Sequence, residues 1–279
     1  MKCGVNFLLW TASNENDAQW IRRAGNMGFD WVEIPVFDPA QVDVSAVRAA
    51  LRDTGQEVSL CSILDASRDI SADDPAAREG GKKYIRECIL LAEKIGAHIF
   101  AGPLYSAVGR LTGKPRSQEE YDRAVEGLKE LGAFAADHGV TLCVEPLNRF
   151  ETHMFNIAAD VVKLVDDVDS PAVKAMIDTF HANIEEKNTA DAIRLCGPRL
   201  AHVHACENDR GAPGTGQVHW DEIFAALREI NYTGALVIES FVGNIPEIAA
   251  AAAIWRNIEP SADYTAQKGL EFLRKMTQG

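Results

Sequence analysis

Met176 to Glu186 reads MIDTFHANIEE, an apolar run that stops abruptly at Asp178, with a histidine three residues further on. The preceding residues, Val173 to Ile177, have strand character, so Asp178 falls near a strand's carboxyl end. Open and barrel α/β folds keep their chemistry there. Taken alone, Asp178 reads equally well as the N-cap of the next helix. What decides between the two readings is how the other strands end.

On either side of that stretch the chain repeats one unit. Upstream, the apolar segments Cys3–Trp10, WVEIPV from Trp31, EVSLCSIL from Glu57, His98–Gly102 and Val140–Glu145 each precede a helical pattern. Those helices carry ordinary punctuation: turn residues Asn14 to Asp17 before the first, Gly28 and Gly55 closing the first two, Pro75 opening and Gly96 closing the third, and an S-x-x-E capping box at Ser117 and Glu120. A further helix opens at Asn156 and finishes before Asp169. Downstream, Leu200–His204 and Ala235–Glu239 are the last two strands, with a helix starting near Asp221. Eight strands alternating with eight helices, with no linker or shift in composition, predict a single (β/α)8 TIM barrel domain over residues 1–279. A doubly wound sheet would carry a G-x-G-x-x-G fingerprint after its first strand, and none is present.

Composition agrees with this class. The chain is 47% hydrophobic and 25% charged, ordinary for a globular protein with a sizeable core. A formal net charge of −13 argues against nucleic acid and anionic membrane surfaces as partners. No apolar run has transmembrane length and the start MKCGVNFLLW lacks a signal-peptide pattern, so a cytoplasmic location is expected. The six cysteines are scattered without a C-x-x-C pair and read as buried thiols.

The last four strands end in Glu145, Asp178, His204 and Glu239, each the first metal-capable residue after an apolar run. In a barrel all four rise around one mouth, over an inner layer of Cys143, Met176 and Val237, with His202 beneath His204 as a hydrogen-bonding histidine. Three carboxylates crowded there repel one another and resist desolvation, and a divalent cation is the simplest remedy. Three oxygen donors and one imidazole suit Mn²⁺, Mg²⁺ or Co²⁺. Glu151, His181 and Arg210 flank the mouth as candidates for an oxygen-rich small molecule, Arg210 for polarising a carbonyl. The segment GAPGTG after Arg210 also reads as a weak phosphate cradle, and Trp10, Tyr105, Phe241 and Trp255 as possible walls of a sugar site.

EPLNRFE (145–151), IDTFHANIEE (177–186), HVHACENDRGAPGTG (202–216), WDEIF from Trp220 and VIESF (237–241) resemble the D-tagatose 3-epimerase family, which includes the D-psicose (allulose) and L-ribulose 3-epimerases of the xylose-isomerase-like barrels. The match is looser in GVNFLLWT and GFDWVEIP. The resemblance implies a ketose 3-epimerase with Mn²⁺ foremost, Co²⁺ or Mg²⁺ as alternatives, held by Glu145, Asp178, His204 and Glu239. It further implies that Glu145 and Glu239 are the catalytic acid/base pair inverting C3 through a cis-enediolate, and that Glu151, His181 and Arg210 bind substrate O1 and O2. A ketose substrate and a homodimer or homotetramer follow from the same likeness. An aldose/ketose isomerase of the hydroxypyruvate or inosose type, a sugar-binding barrel without turnover, and a multi-metal nuclease are the alternatives. The last needs more clustered histidines than the chain supplies.

Overall fold

The structure is a computed structural model that describes residues 1–278; Gly279, the end of the predicted domain, lies outside them. Its strands are β1 (Lys2–Asn6), β2 (Trp31–Pro35), β3 (Glu57–Cys61), β4 (Ile99–Gly102), β5 (Thr141–Val144), β6 (Val173–Asp178), β7 (Leu200–Ala205) and β8 (Ala235–Ile238). All pair in parallel in chain order, and β1 pairs with β8 to close the barrel. Closure leaves no sheet edge, and strands covered on both faces account for the continuous Val/Ile/Leu runs read from the sequence.

The helices are α1 (Asp17–Met27), α2 (Val44–Thr54), α3 (Pro75–Ile95), α4 (Gln118–Asp137), α5 (Ala158–Val168), α6 (Thr179–Glu185), α7 (Thr189–Cys196), α8 (Trp220–Glu229), α9 (Pro246–Ala251) and α10 (Ala262–Gln278). Their stop signals behave as read: Gly28, Gly55 and Gly96 take left-handed backbone at the ends of α1, α2 and α3, and both halves of the Ser117–Glu120 capping box form. Two more helices occur among the described residues than the alternation predicts. One arises because β6 is followed by two short helices, the other because the Ala-rich segment after β8 forms α9 beside the mouth. No helix among the described residues is long and apolar enough to cross a membrane.

Several predicted boundaries shift for local reasons. β1 stops at Asn6, not Trp10, because the Asn6 side chain accepts the Leu8 N–H at 2.9 Å and caps a 3-10 turn over Phe7–Leu9. β3 stops at Cys61, and Leu64 only bridges Ala107. Asn156 does not open α5; its amide donates to the Leu147 and Thr152 carbonyls at 2.8 and 3.0 Å, which folds the loop before the helix. At the end of β4, Gly102 takes φ 131° and a Cβ there would meet the Ser62 carbonyl oxygen at 2.1 Å, so only glycine lets β3 and β4 open side by side.

Inside the barrel the predicted layer is present, divided between two apolar clusters: Cys61, Ala101, Cys143 and Met176 pack together on one side, and Trp31, Ala235 and Val237 on the other. All six cysteines are free and buried.

Candidate metal centre and active site

Ligating atoms of Glu145, Asp178, His204 and Glu239 all lie within 4.8 Å of one another at the carboxyl ends of β5 to β8. His204 is central. Its Nδ1 is 3.3 Å from Glu239 Oε2, 3.9 Å from Glu145 Oε1 and 4.0 Å from Asp178 Oδ2. The parallel register sets this up, pairing Asp178 with His204 and His204 with Val237, two residues before Glu239. Asp178 also proves to be a helix cap, since Oδ1 accepts the Phe180 N–H at 2.6 Å while Oδ2 turns to the mouth. The two readings of that residue are one arrangement.

Arg210 lies in the same group, its Nη1 donating to Asp178 Oδ2 at 2.8 Å and Glu239 Oε2 at 3.1 Å. Its guanidinium sits 4.0 Å from the Phe180 ring centroid and 4.7 Å from that of Phe241, and its backbone takes φ 69°. Cation–π contact on two sides fixes a planar guanidinium far better than an ammonium. Burial opposes the Arg210 charge, but Asp178, Cys206 and Glu239 hold its pKa well above the ordinary value.

The carboxylates respond unequally. Burial pushes Glu145 well up, with Glu239 and Asp178 adding to the rise and His204 opposing it. Burial pushes Glu239 up too, but His204 and Arg210 outweigh it and leave that carboxyl below its usual range. His204 itself, opposed by burial, is raised by Glu239 and Glu33. Glu145 Oε1 and His204 Nδ1 are buried without a hydrogen-bond partner. Two orphaned lone-pair donors facing each other among carboxylates fit a hard divalent cation, and Glu145, Asp178, His204 and Glu239 are the residues able to hold it.

His181, in the first turn of α6, is buried beside them. Its Nδ1 faces the Asn148 backbone N–H at 3.2 Å, which can only donate, and the Asn148 side-chain amide at 2.9 Å. Nε2 faces Arg210 Nη2 at 3.1 Å, a guanidinium nitrogen that likewise can only donate, and lies 3.9 Å from Glu145 Oε1. Burial, with Arg210 nearby, pushes the His181 pKa down to about 3, so the ring stays neutral. Glu151 accepts the other Asn148 amide proton at 2.8 Å, and burial raises its pKa. Asn148 thus organises two of the predicted substrate contacts, although its own role was not read from the sequence.

These groups open into a cavity of about 450 Å³. Glu145, Glu151, His181, His204, Arg210 and Glu239 line its deep end. Its outer wall is apolar, from Leu8, Pro35, Phe37, Ile63, Val108 and Ile248. Of the aromatic wall candidates, only Phe241 lines it. Tyr105 is buried behind the strand ends with its hydroxyl on the Glu145 carbonyl, Trp10 stacks on Trp20, and Trp255 is 79% exposed. The phosphate-cradle reading of GAPGTG also fails. The buried Glu207 carboxylate already accepts the Gly214 and Val218 N–H groups and the Trp220 indole N–H, so those amides are spent inside the loop.

The sequence reading also missed Glu33, in the middle of β2. It is fully buried and takes contacts from His202, His204, Asn6 and Ser59. The available signal was an acid inside the apolar run WVEIP.

Residues 21–276 match the family model described as xylose isomerase-like TIM barrel. The chain is 34% identical over 289 residues to D-psicose 3-epimerase of Agrobacterium fabrum, covering 100% of both chains. It is 33% identical to L-ribulose 3-epimerase of Methylomonas sp., covering 95% of this chain and 93% of that one. A crystal structure of D-allulose 3-epimerase from Methylomonas sp. in complex with D-allulose superposes with a TM-score of 0.94 at 31% identity, covering 99% of this chain and 97% of that one.

Proposed function

The chain belongs to the D-tagatose 3-epimerase family of xylose isomerase-like TIM barrels, and from that premise we propose that it is a metal-dependent ketose 3-epimerase acting on a free ketohexose or ketopentose. The observation that carries this reading is the convergence of Glu145, Asp178, Glu239 and His204 within 4.8 Å, with Glu145, His204 and Glu239 lining a sugar-sized cavity. Mn²⁺ is the proposed ion, with Co²⁺ or Mg²⁺ as substitutes; once bound it supplies Lewis-acid polarisation of the ketose oxygens, which acidifies the C3 proton.

The protein's own groups do the rest. Glu145 and Glu239 directly follow strands β5 and β8, on opposite sides of His204 in strand order, so a ketose seated between them has a carboxyl group at each face of C3. One removes the C3 proton and the other returns one to the opposite face, inverting that carbon. The Arg210 guanidinium donates to the oxygens on which charge develops in the enediolate, with the neutral His181 ring beside it as a further substrate contact. Glu151, raised in pKa by burial, supplies a further polar contact. The apolar outer wall excludes water from the reacting carbons.

A cytoplasmic enzyme that assembles as a homodimer or homotetramer completes the proposal, the assembly being measurable by light scattering. The decisive experiment loads the protein with Mn²⁺ and incubates it in D₂O with D-fructose, D-tagatose, D-psicose and L-ribulose. Deuterium should enter at C3 of at least one of them, and Glu145→Gln or Glu239→Gln should lower that exchange by a factor on the order of 10² to 10⁴. Exchange at C1 with aldose formation would replace this reading with an isomerase, and no exchange at all with the metal bound would end it.

A further inference from the structure

Beneath the candidate metal centre lies a second polar layer that the reaction described above does not use. Asn6, Glu33 and Ser59 are register partners across β1, β2 and β3, so their side chains stand side by side inside the barrel. Glu33 is the hub. Its Oε1 accepts from Asn6 Nδ2 at 2.9 Å and from His204 Nε2 at 2.7 Å. Its Oε2 accepts from Ser59 Oγ at 2.7 Å, and His202 Nε2 lies 2.7 Å away, off the hydrogen-bond line.

Each donor is itself oriented. The Leu8 N–H occupies Asn6 Oδ1, which turns the amide nitrogen toward Glu33. The Trp31 indole N–H donates to Ser59 Oγ at 2.8 Å, which leaves the hydroxyl proton for Glu33. The carboxylate is fully buried, and such a charge persists only when its lone pairs are satisfied. Here all the donors converge on one acceptor, which has no proton to give back. The imidazole of His204 is consequently held with Nε2–H on Glu33 and with Nδ1 aimed among Glu145, Asp178 and Glu239.

We propose that Glu33 is a positioning residue for the metal centre: it fixes the ring orientation and tautomer of His204, so that Nδ1 alone is presented as ligand. Asn6 extends the same control, since its amide also lies 3.4 Å from Glu239 Oε1 and so ties a second ligand to the Glu33 layer. Glu33, His202 and His204 have the residue types of a metal site in their own right. The 2.7 Å contact joining His204 to Glu33 is a direct hydrogen bond, however, and it uses the nitrogen that such an ion would need.

This inference rests on the four-residue metal reading, and the test separates the two. Titration of the full-length protein with Mn²⁺ by calorimetry should show one equivalent bound, weakened about tenfold to a hundredfold in Glu33→Gln, the usual effect of losing a charged partner behind a ligating histidine. Asp178→Asn serves as the comparison. If Asp178→Asn weakens binding and Glu33→Gln stays within about twofold of wild type, the Glu33 role is overturned while the metal centre stands; if neither changes binding, the metal centre itself is wrong. A second equivalent of Mn²⁺ that Glu33→Gln abolishes would make Glu33 a ligand and overturn the positioning role.

The second readout is ¹⁵N–¹H correlation of the histidine rings in Mg²⁺-saturated wild type. It should show His204 protonated at Nε2 and unprotonated at Nδ1, and the opposite pattern overturns the proposal even if Glu33→Gln does not fold. A purely structural role would lower the melting temperature of Glu33→Gln without moving the metal affinity or the ring protons.

Discussion

Asp17 shows how a single buried acid couples this barrel to pH. It opens α1 yet is only 3% exposed; Oδ1 has no partner and Oδ2 has only the Asn14 amide at 3.4 Å. Burial pushes its carboxyl from an ordinary 3.8 up to about 7, with the Asn14 hydrogen bond opposing the rise. The folded state therefore binds this proton more tightly than the unfolded chain does. Stability carried by the protonated acid is complete below about pH 4 and is lost as pH rises through about 7. Asp17→Asn should then stabilise the protein by up to about 4 kcal/mol at pH 8 and leave it unchanged near pH 4, since each tenfold difference in proton affinity between the folded and unfolded chains is worth about 1.4 kcal/mol and the rise from 3.8 to about 7 spans roughly three of them. Urea denaturation of both proteins at the two pH values measures this, and equal midpoints at pH 8 would refute it. His181 is the opposite case, a histidine whose burial removes it from titration in the range where enzymes work.

At the scale of elements, the junction of β6 and α6 performs two tasks with one side chain. Asp178 Oδ1 caps α6 through Phe180, and Oδ2 faces His204 and Arg210. The tasks separate by substitution. Asparagine keeps an oxygen for the cap and loses the charge, so Asp178→Asn should weaken Mn²⁺ binding at least tenfold with little change in melting temperature. Alanine loses both, and Asp178→Ala should cost about 1 kcal/mol more through the missing cap. Calorimetry and thermal melts side by side give the two numbers. The loop after β7 follows a similar logic: Glu207 gathers the amides of Gly214 and Val218, and its backbone carbonyl accepts the Arg210 N–H at 3.0 Å, which supports the left-handed backbone that delivers the guanidinium.

At the scale of the whole molecule, charge is arranged to favour a neutral substrate. The protein carries a net −13, and among the described residues Arg210 is the one Lys or Arg lining the cavity, already engaged by Asp178 and Glu239. The outer end offers apolar side chains and Glu247 in place of a phosphate partner. A ketose phosphate should thus be turned over at least a hundredfold less well than the matching free ketose, compared as kcat/KM at equal metal loading. Comparable values would show that the cavity admits the dianion.

Barrel class, strand order and the ligand candidates were legible because each rests on local pattern. Glu145, Asp178, His204 and Glu239 are recognisable as the polar residue that ends an apolar run, and a (β/α)8 barrel brings all such ends to one face. Glu33 and Asn148 carried no comparable local mark: the first sits mid-strand in WVEIP, the second in a polar loop beside more conspicuous charges. The aromatic wall was misjudged for the same reason, since whether Tyr105 or Phe241 faces the cavity depends on backbone that turns after the strand has ended. By itself the sequence determined the periodicity, and with it the architecture and which strand-end polar side chains rise at the mouth. Only the tertiary structure decided which side chains stand behind them, because barrel closure sets β2 within hydrogen-bonding reach of β7 across residues 33 and 204, 171 positions apart in the chain.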